Sequence, residues 1–594
     1  MMNIEKDKLY NAFINGAVEV MDNRLLLNEI NVFPVADSDT GSNLYNMMNH
    51  IVLNSELKSS LKDTLESIAD SAIVGARGNS GLIFAQYFHG ISKVSNNYNE
   101  ITAREFVLAA YLGFDHAYKA VEKPVEGTIL TIMRVFYESL NSGLEDAASF
   151  LELLEKAYLS VESAVLKTTD QLLNLRRASV VDSGAKGFSF FLRGFIDALK
   201  GKSRSISDIS DVNYEKELDF HEAHKVHNLS SEIKYRYCTE ALIEGSNFES
   251  DKMKNLLSIL GDSIVVIKGS RKSRLHIHTN MPWKVFEILS LNHIVASQKV
   301  DDMRWQYDLI HNRKYKKVIV TDSVADIPKT ILDDEQVVVI HLDILLDLES
   351  YIDKLTLTND YIFNWIDKNH KQATSSQPSL INIKKIFSNL LNYYEEVIVI
   401  TVSKELSGTY GVIAKAAKLF GDKVEVINSK QNSVAQGLVV FGALEGVQKN
   451  LGRDVICSDV YEVIKKTKIL VSISNLDRMI ASGRLTLRAG KIAKMLRLKP
   501  IITLDENGMG AIEKIAFGKK NSYKKILKHL IEIDKKDKIL RYALTYVDDK
   551  EQANFLANQI ESVLGFPCLY IVESSSIIAM GAGKGAVAVA YTTR

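Results

Sequence analysis

The sequence predicts a multidomain protein with an all-α N-terminal domain, a small α+β middle domain and a C-terminal α/β domain. Three observations predict it. Over residues 1 to 200, apolar residues recur at helical spacing, interrupted by Gly-rich stretches at 75–81 and 183–187. Residues 233–315 mix short strand-like and helix-like runs. From 316 to 594, apolar runs alternate with helical stretches, the rhythm of a largely parallel sheet with crossover helices. Between the first two lies 201–232, polar and without apolar periodicity, which reads as a linker.

Each element follows from local pattern. Leu9, Phe13, Ala17 and Val20 fall on one helical face of an amphipathic first helix. In the middle segment YRYCTEALI, DSIVVIKG and RLHIHT read as strands, and SDKMKNLLSIL and PWKVFEILSL as helices. In the last, KKVIVT, QVVVIHLDI, EEVIVITVS, KVEVINS, KPIITLD and RYALTYV read as buried strands. Functional loops are expected at their C-terminal ends.

Composition narrows the class. Of 594 residues 46% are hydrophobic and 25% charged, with 73 basic and 73 acidic side chains. That balance argues against a bulk nucleic-acid binder. Three scattered cysteines, Cys238, Cys457 and Cys568, are no disulfide framework and fit a reducing cytoplasm. No uncharged run approaches the ~20 residues of a transmembrane helix, so a soluble cytoplasmic protein is expected.

The stretch Asn31-Val-Phe-Pro-Val-Ala-Asp37-Ser-Asp39-Thr40-Gly41-Ser42-Asn43 places two carboxylates two residues apart in a turn. They can converge on one hard cation such as magnesium, or form an Asx turn capping the next helix. Gly75-Ala-Arg77-Gly78-Asn79-Ser80-Gly81 precedes an apolar run. A Gly-rich turn entering a helix offers N–H groups to a phosphate, and Arg77 can add a charge-assisted contact. Close helix packing would also account for those glycines. Val181-Asp182-Ser183-Gly184-Ala185-Lys186-Gly187 repeats the theme.

In this order, DSDTGSN, GARGNSG and VDSGAKG resemble the nucleotide domain of the dihydroxyacetone-kinase-like (DhaL) family, with NVFPVADSDTG most similar to its fatty acid kinase branch. The resemblance implies an all-helical barrel binding ATP through magnesium. Asp37 and Asp39 would then hold magnesium, with Asn31 and Asn43 beside it, and Arg77 would take part in catalysis. Thr40, Gly41, Ser42, Gly78, Asn79, Ser80, Asp182 and Gly184 would line the nucleotide.

In the middle segment, Arg274-Leu-His276-Ile-His278 sets both imidazoles on one strand face and Leu275 and Ile277 on the other. With Cys238 these make a chemically reasonable zinc set, although spacing alone fits a solvated or interface face as well. YCTE, GDSIVV, LHIHTN and DDMRWQ resemble the fatty acid kinase middle domain, which implies zinc and a dimerising role. Their sequence distance from every phosphate motif favours a structural zinc.

Residues 316–594 resemble the DegV family of fatty-acid-binding proteins through VIVTDSVADIP, TSSQPS, SKELSGTYG, INSKQNSVAQG, SGRLTLRAG and GAGKGAVAV. The family implies a buried acyl chain and a hydrogen-bonded carboxylate, here assigned to Ser375, Ser376, Ser407 and Arg484. Turn formation or helix capping explains each serine without a ligand. Members carry a His shortly before a terminal Gly-Pro-Gly-Ala, but Ala579–Ala586 has no His and Lys584 replaces Pro. An Arg that docks the separate carrier on its kinase corresponds to Ala516 or its neighbours.

These resemblances imply a fatty acid kinase that makes acyl phosphate from a fatty acid on its own C-terminal domain. It would feed exogenous fatty acids into phospholipid synthesis through a downstream acyl-phosphate acyltransferase. The rival readings are a kinase for a small hydroxy compound such as dihydroxyacetone, and a kinase with a lipid-sensing module acting on a separate carrier.

Overall fold

The computed structural model describes residues 3–32, 39–94, 99–121, 123–202, 233–245, 248–269, 271–473, 479, 499–516 and 519–594. They form two compact units, Met1–Tyr307 and Asp308–Arg594.

The first unit begins with strand β1 (Asn3–Glu5), paired antiparallel with β2 (Glu100–Thr102). Its helices are α1 (Lys6–Asp22), α2 (Arg24–Glu29), α3 (Thr40–Asn54), α4 (Leu61–Gly75), α5 (Gly78–Ile91), α6 (Ala103–Ala120), α7 (Ile129–Gly143), α8 (Phe150–Gln171), α9 (Leu173–Ala178) and α10 (Ser183–Leu199). Neighbours pack as α1, α3, α4, α5, α6, α7, α8 and α10, and α10 closes back onto α1. Leu9, Phe13, Ala17 and Val20 are all buried, and α1 and α10 approach through Gly16 and Gly194. A Cβ on Gly16 would lie 2.7 Å from the Phe191 ring, and one on Gly194 2.5 Å from Asn15 O.

Local signals set the helix ends. Ser60, Thr102 with Glu105, and Ser149 cap α4, α6 and α8. Helix α5 is buried from Gly81 to Ile91, and Phe84 and Phe88 pack with Phe13, Phe188 and Phe191. A helix apolar all round belongs in a core.

Strands β3 (Tyr237–Glu244), β4 (Gly261–Lys268), β5 (Lys272–Thr279) and β6 (Val295–Asp302) form an antiparallel sheet in the order β4-β5-β3-β6. Helices Ser250–Leu257 and Pro282–Ser290 accompany it, as expected from sequence. Strand β6 is an addition to the expected elements, because VASQKVDD is too polar to signal a strand. Val265 and Ile267 join the helical core, so this sheet completes the first unit. Residues on both sides of the expected linker therefore lie in one compact unit, and 203–232 themselves lie outside the described residues.

In the second unit β7 (Lys317–Asp322), β8 (Val338–Ile340), β12 (Glu396–Thr401) and β13 (Val424–Asn428) form a parallel sheet ordered β13-β12-β7-β8. Between them in sequence, β9 (Asp343–Leu346), β10 (Glu349–Ile352) and β11 (Thr374–Ser376) make a small antiparallel sheet. The run QVVVIHLDI is thus two strands in two sheets, split at His341–Leu342. The second large sheet contains β14 (Thr467–Ser472), β15 (Lys499–Leu504), β16 (Gly510–Ala516), β17 (Ile539–Tyr546), β18 (Ile571–Glu573) and β19 (Val587–Thr593), ordered β16-β15-β14-β19-β17-β18. Among the described residues, only β17 and β18 pair in parallel there. The expectation of a largely parallel sheet therefore holds for the first sheet and not for the second, where KPIITLD pairs antiparallel on both sides and RYALTYV pairs antiparallel with β19 and parallel with β18. Apolar runs report burial, not strand direction. Helix Ser433–Gln448, buried over most of its length, packs against strands of both large sheets. Among the described residues, no helix is long and apolar enough to cross a membrane.

Candidate functional site

Two concave sites stand out, one in each unit. In the first unit, Asn31, Asp39, Thr40, Asn43, Gly78, Asn79 and Ser80 line one cleft with Cys238, His276, His278, Asp301, Met303 and Gln306. Asp39 is the N-cap of α3 and makes no side-chain cap hydrogen bond, so the simple helix-cap account of this Asp does not hold. Asp37 lies outside the described residues. Gly78 opens α5 at φ 59°, and a Cβ there would meet Asn43 Nδ2 at 2.5 Å. Only glycine takes this backbone conformation against that wall without strain.

Other residues of the motifs sit behind the cleft. Gly41 is pressed against α2, where a Cβ would fall 2.0 Å from Arg24 O. Ser42 N donates to Asn28 Oδ1 at 2.9 Å, and Asn28 Nδ2 donates to Ser42 Oγ at 3.0 Å. Asp182 caps α10, accepting from Ala185 N at 2.7 Å, and burial pushes its carboxyl up to about 6. Gly184 stands beside Ser80, since its Cβ would lie 3.1 Å from Ser80 Oγ. The three motifs thus meet through the N-termini of α3, α5 and α10.

The sheet brings Cys238, His276 and His278 to the same cleft. Cys238 faces His278 across β3 and β5, and two positions along Glu240 pairs with His276. The imidazoles are 5.0 Å apart between centroids, Cys238 Sγ lies 3.7 Å from His276 Nδ1, and Leu275 and Ile277 are buried on the opposite face. Ligand atoms of the three side chains all fall within 4.8 Å of one another. His276 Nε2 is buried without a hydrogen-bond partner, an orphan that a metal would satisfy. Burial, with His276 beside it, pushes the His278 imidazole down to about 3, leaving it neutral and able to ligate. Burial pushes the Cys238 thiol well up, with Glu240, Asp301 and Asp39 adding negative charge, a setting that a dication would reverse. One sulfur and two nitrogens suit zinc, and the oxygen donors Asp39, Asn31 and Asn43 suit magnesium. Sequence distance favoured a zinc remote from the phosphate motifs, and the folded chain removes that distance.

In the second unit a cavity of about 290 Å³ opens where strand ends converge. Val324, Val402 and Ser433 follow β7, β12 and β13, and Val471, Leu504, Val547, Ile577 and Ala588 supply apolar wall. Ser375, Ser376, Gln377 and Ser407 line it as well. Ser407 Oγ lies 2.9 Å from Thr409 Oγ1 at the start of helix Thr409–Ala417. Burial holds the Asp343 carboxyl above its usual range, and the Ser376 hydroxyl beside it offsets part of that rise. Among the described lining residues none is charged, and Arg484 lies outside the described residues. Gly581 and Ala582, within the Ala579–Ala586 stretch that holds no histidine, are part of the wall. Lys584 pairs with Asp548 at 3.9 Å and lies over the Phe363 ring. Ala516 is buried at the end of β16.

Sequence reasoning misses Asp301 and Glu240. Both lie in stretches that the sequence marks, Asp301 in DDMRWQ and Glu240 in YCTE, but neither stretch says which of its residues reaches the cleft.

Comparison with known proteins agrees with the three-part organisation. Residues 34–197 match the family model described as a DAK2 domain. Residues 234–310 match the model of the middle domain of fatty-acid-kinase-like proteins, and 316–594 match the DegV family of uncharacterised proteins. An uncharacterized protein of Staphylococcus saprophyticus is 33% identical over 331 residues, 54% of this chain and 59% of its own length. One from Staphylococcus haemolyticus is 32% identical over 306 residues, 50% and 54% of the two chains. The chain spans about half the length of the curated relatives it matches. A DegV family protein of Thermus thermophilus, solved for its fatty acid binding, is 24% identical over 47% of this chain and all of its own, with TM-score 0.45. The fatty-acid-binding DegV family protein of Streptococcus agalactiae has the same identity and coverage, with TM-score 0.44.

Proposed function

We propose that this chain, which joins a Dak2 domain, a fatty-acid-kinase-type middle domain and a DegV-family domain, is an ATP-dependent fatty acid kinase. It forms acyl phosphate from a fatty acid held in its own C-terminal cavity. The observation that carries this reading is an apolar cavity bordered by neutral hydroxyls on the same polypeptide as the cleft at the three helix N-termini. A hydroxy-compound kinase leaves that cavity without a role.

A fatty acid carboxyl, with pKa about 4, is already ionised at neutral pH, so it needs no strong base to attack the γ-phosphorus. One carboxylate oxygen bonds to phosphorus as the bond to the ADP oxygen breaks. Aligning the reactants and neutralising two facing anions are the protein's tasks. Asp37 and Asp39, with Asn31 and Asn43 beside them, hold magnesium, which when bound supplies positive charge to the phosphates. The N–H groups at the start of α5 and Arg77 receive phosphate oxygens. Thr40 and Ser80 line the nucleotide, and Ser375, Ser376, Ser407 and Arg484 hold the acyl carboxylate. Cys238, His276 and His278 hold zinc beside the phosphate site. An acyl phosphate is a reactive mixed anhydride, so an acyltransferase that consumes it follows.

The test is hydroxylamine trapping of acyl phosphate from fatty acid and ATP with no separate carrier. Product is expected, at a rate per enzyme nearly independent of protein dilution, since tethering fixes the effective concentration. Ser407→Ala combined with Arg484→Ala should remove it. Product formed only on adding an independent fatty-acid carrier would overturn self-contained catalysis.

The cavity wall gives a specificity prediction. A Cβ on Gly581 meets nothing within 4 Å, so Gly581→Leu is expected to project into the cavity without backbone strain. Preference for shorter over longer acyl chains should rise about tenfold or more. Mass spectrometry of lipid retained by the two proteins measures it. An unchanged chain-length profile would place the acyl tail elsewhere.

A further inference from the structure

Helix α5 lacks an N-terminal cap from its own sequence. Its N-cap position is Arg77, a side chain that only donates, and no side-chain cap hydrogen bond is made there. The missing acceptor comes from 162 positions away: Gly78 N–H donates to Glu240 Oε1 at 2.6 Å. Glu240 is 2% exposed, deep between the helices and strand β3. Its Oε1 also lies 3.5 Å from His276 Nδ1, and its Oε2 lies 3.6 Å from Arg274 Nη1 and 4.0 Å from Arg77 Nε.

Arg274 extends the connection. Its Nε donates to Ile73 O at 3.0 Å and its Nη2 to Val74 O at 2.6 Å, at the end of α4. One buried carboxylate and its arginine therefore grip both helix ends that flank the Ala76–Arg77 connection. The same carboxylate touches His276 and sits two residues from Cys238. Lys299 stands opposite Glu240 in β6 and adds positive charge near the carboxylate.

We propose that Glu240 is a positioning residue for phosphate binding. It fixes the first turn of α5, with the N–H groups of Asn79 and Ser80, in register with the Cys238–His276–His278 cluster across the cleft. This rests on the ATP-site reading above. Glu240 acts through Gly78 and Arg77 and touches neither reactant. A helix start left free to rotate would misplace the phosphate donors, and displacements of about 1 Å cost up to about a hundredfold.

The test uses the full chain and its variants Glu240→Ala, Glu240→Gln and Glu240→Asp. Calorimetry with a non-hydrolysable ATP analogue and magnesium measures binding directly, alongside KM for ATP, KM for fatty acid, kcat and the melting midpoint. Glu240→Ala is expected to weaken analogue binding and raise KM for ATP at least about tenfold, leaving KM for fatty acid unchanged. Glu240→Gln keeps an acceptor oxygen for Gly78 N–H and should recover binding to within about threefold of wild type. If the alanine variant does not fold, Glu240→Asp serves, because it keeps the charge and withdraws the acceptor by one methylene. It should lose about as much affinity as expected for alanine. Nucleotide affinity equal to wild type in the folded variants, with only the melting midpoint lowered, would overturn the proposal and make Glu240 a structural clamp. A wild type that binds the analogue but forms no acyl phosphate removes the kinase reading alone, and the binding comparison still decides the role of Glu240.

Discussion

Replacing Asp39 by Ala is expected to lower ATP turnover at least about 100-fold while the first unit stays folded. The carboxylate lines the cleft with Asn31, Asn43 and Asn79, an oxygen-rich wall suited to a hard cation. The fold should tolerate its loss because Asp39 contributes no side-chain cap to α3. The main-chain bond from Asn43 N to Asp39 O, 2.8 Å, survives the substitution. Circular dichroism and thermal melting establish folding, and ATP consumption at limiting magnesium measures the effect. The Asp37→Ala, Asp39→Ala double variant should show no measurable turnover. Near-normal turnover by the double variant at limiting magnesium would sink the assignment of the magnesium site.

Replacing His276 by Ala should remove zinc and phosphotransfer together. His276 is 1% exposed, and its partnerless Nε2 sits in a wall shared with the phosphate motifs. If the three residues hold zinc as proposed, truncation takes away one of three ligands and weakens metal binding steeply. It also leaves Glu240 without one neighbour. Elemental analysis and turnover should be measured on the same preparation. Equal zinc in wild type and variant, or none in either, would make these histidines ordinary buried sheet residues. Zinc lost with turnover intact would make the cluster structural, as the sequence distances alone implied.

Much of the architecture was legible in the chain because its signals are local. The spacing of Leu9, Phe13, Ala17 and Val20 fixes the buried face of α1. The alternation in RLHIHT sets His276 and His278 on one face of β5, and the Gly-rich turns mark helix starts. Direction and partner of strands were not legible. QVVVIHLDI is one apolar run, yet its halves pair in different sheets. GAVAV is short and rich in small residues, which gives it little strand signal, yet Val587–Thr593 lies between β14 and β17 at the centre of the second large sheet. Local hydrophobicity records that a residue is buried but not against what.

The same division separates the sites. The sequence by itself determined which residue types are available: paired acids, Gly-rich helix starts, an HxH strand with a cysteine on another strand, and hydroxyl-bearing loops. Their periodicity assigned them to helices and strands, since φ and ψ preferences act within a few residues. Only the tertiary structure decided which of them meet. It set Cys238, His276 and His278 in one cleft with Asp39, Asn43 and Gly78, pressed Gly41 behind that cleft, and made Glu240 the cap of a helix with no cap of its own. Such meetings arise from strand register and the packing of whole faces, which join residues 162 positions apart as readily as neighbours and leave no local mark in the chain.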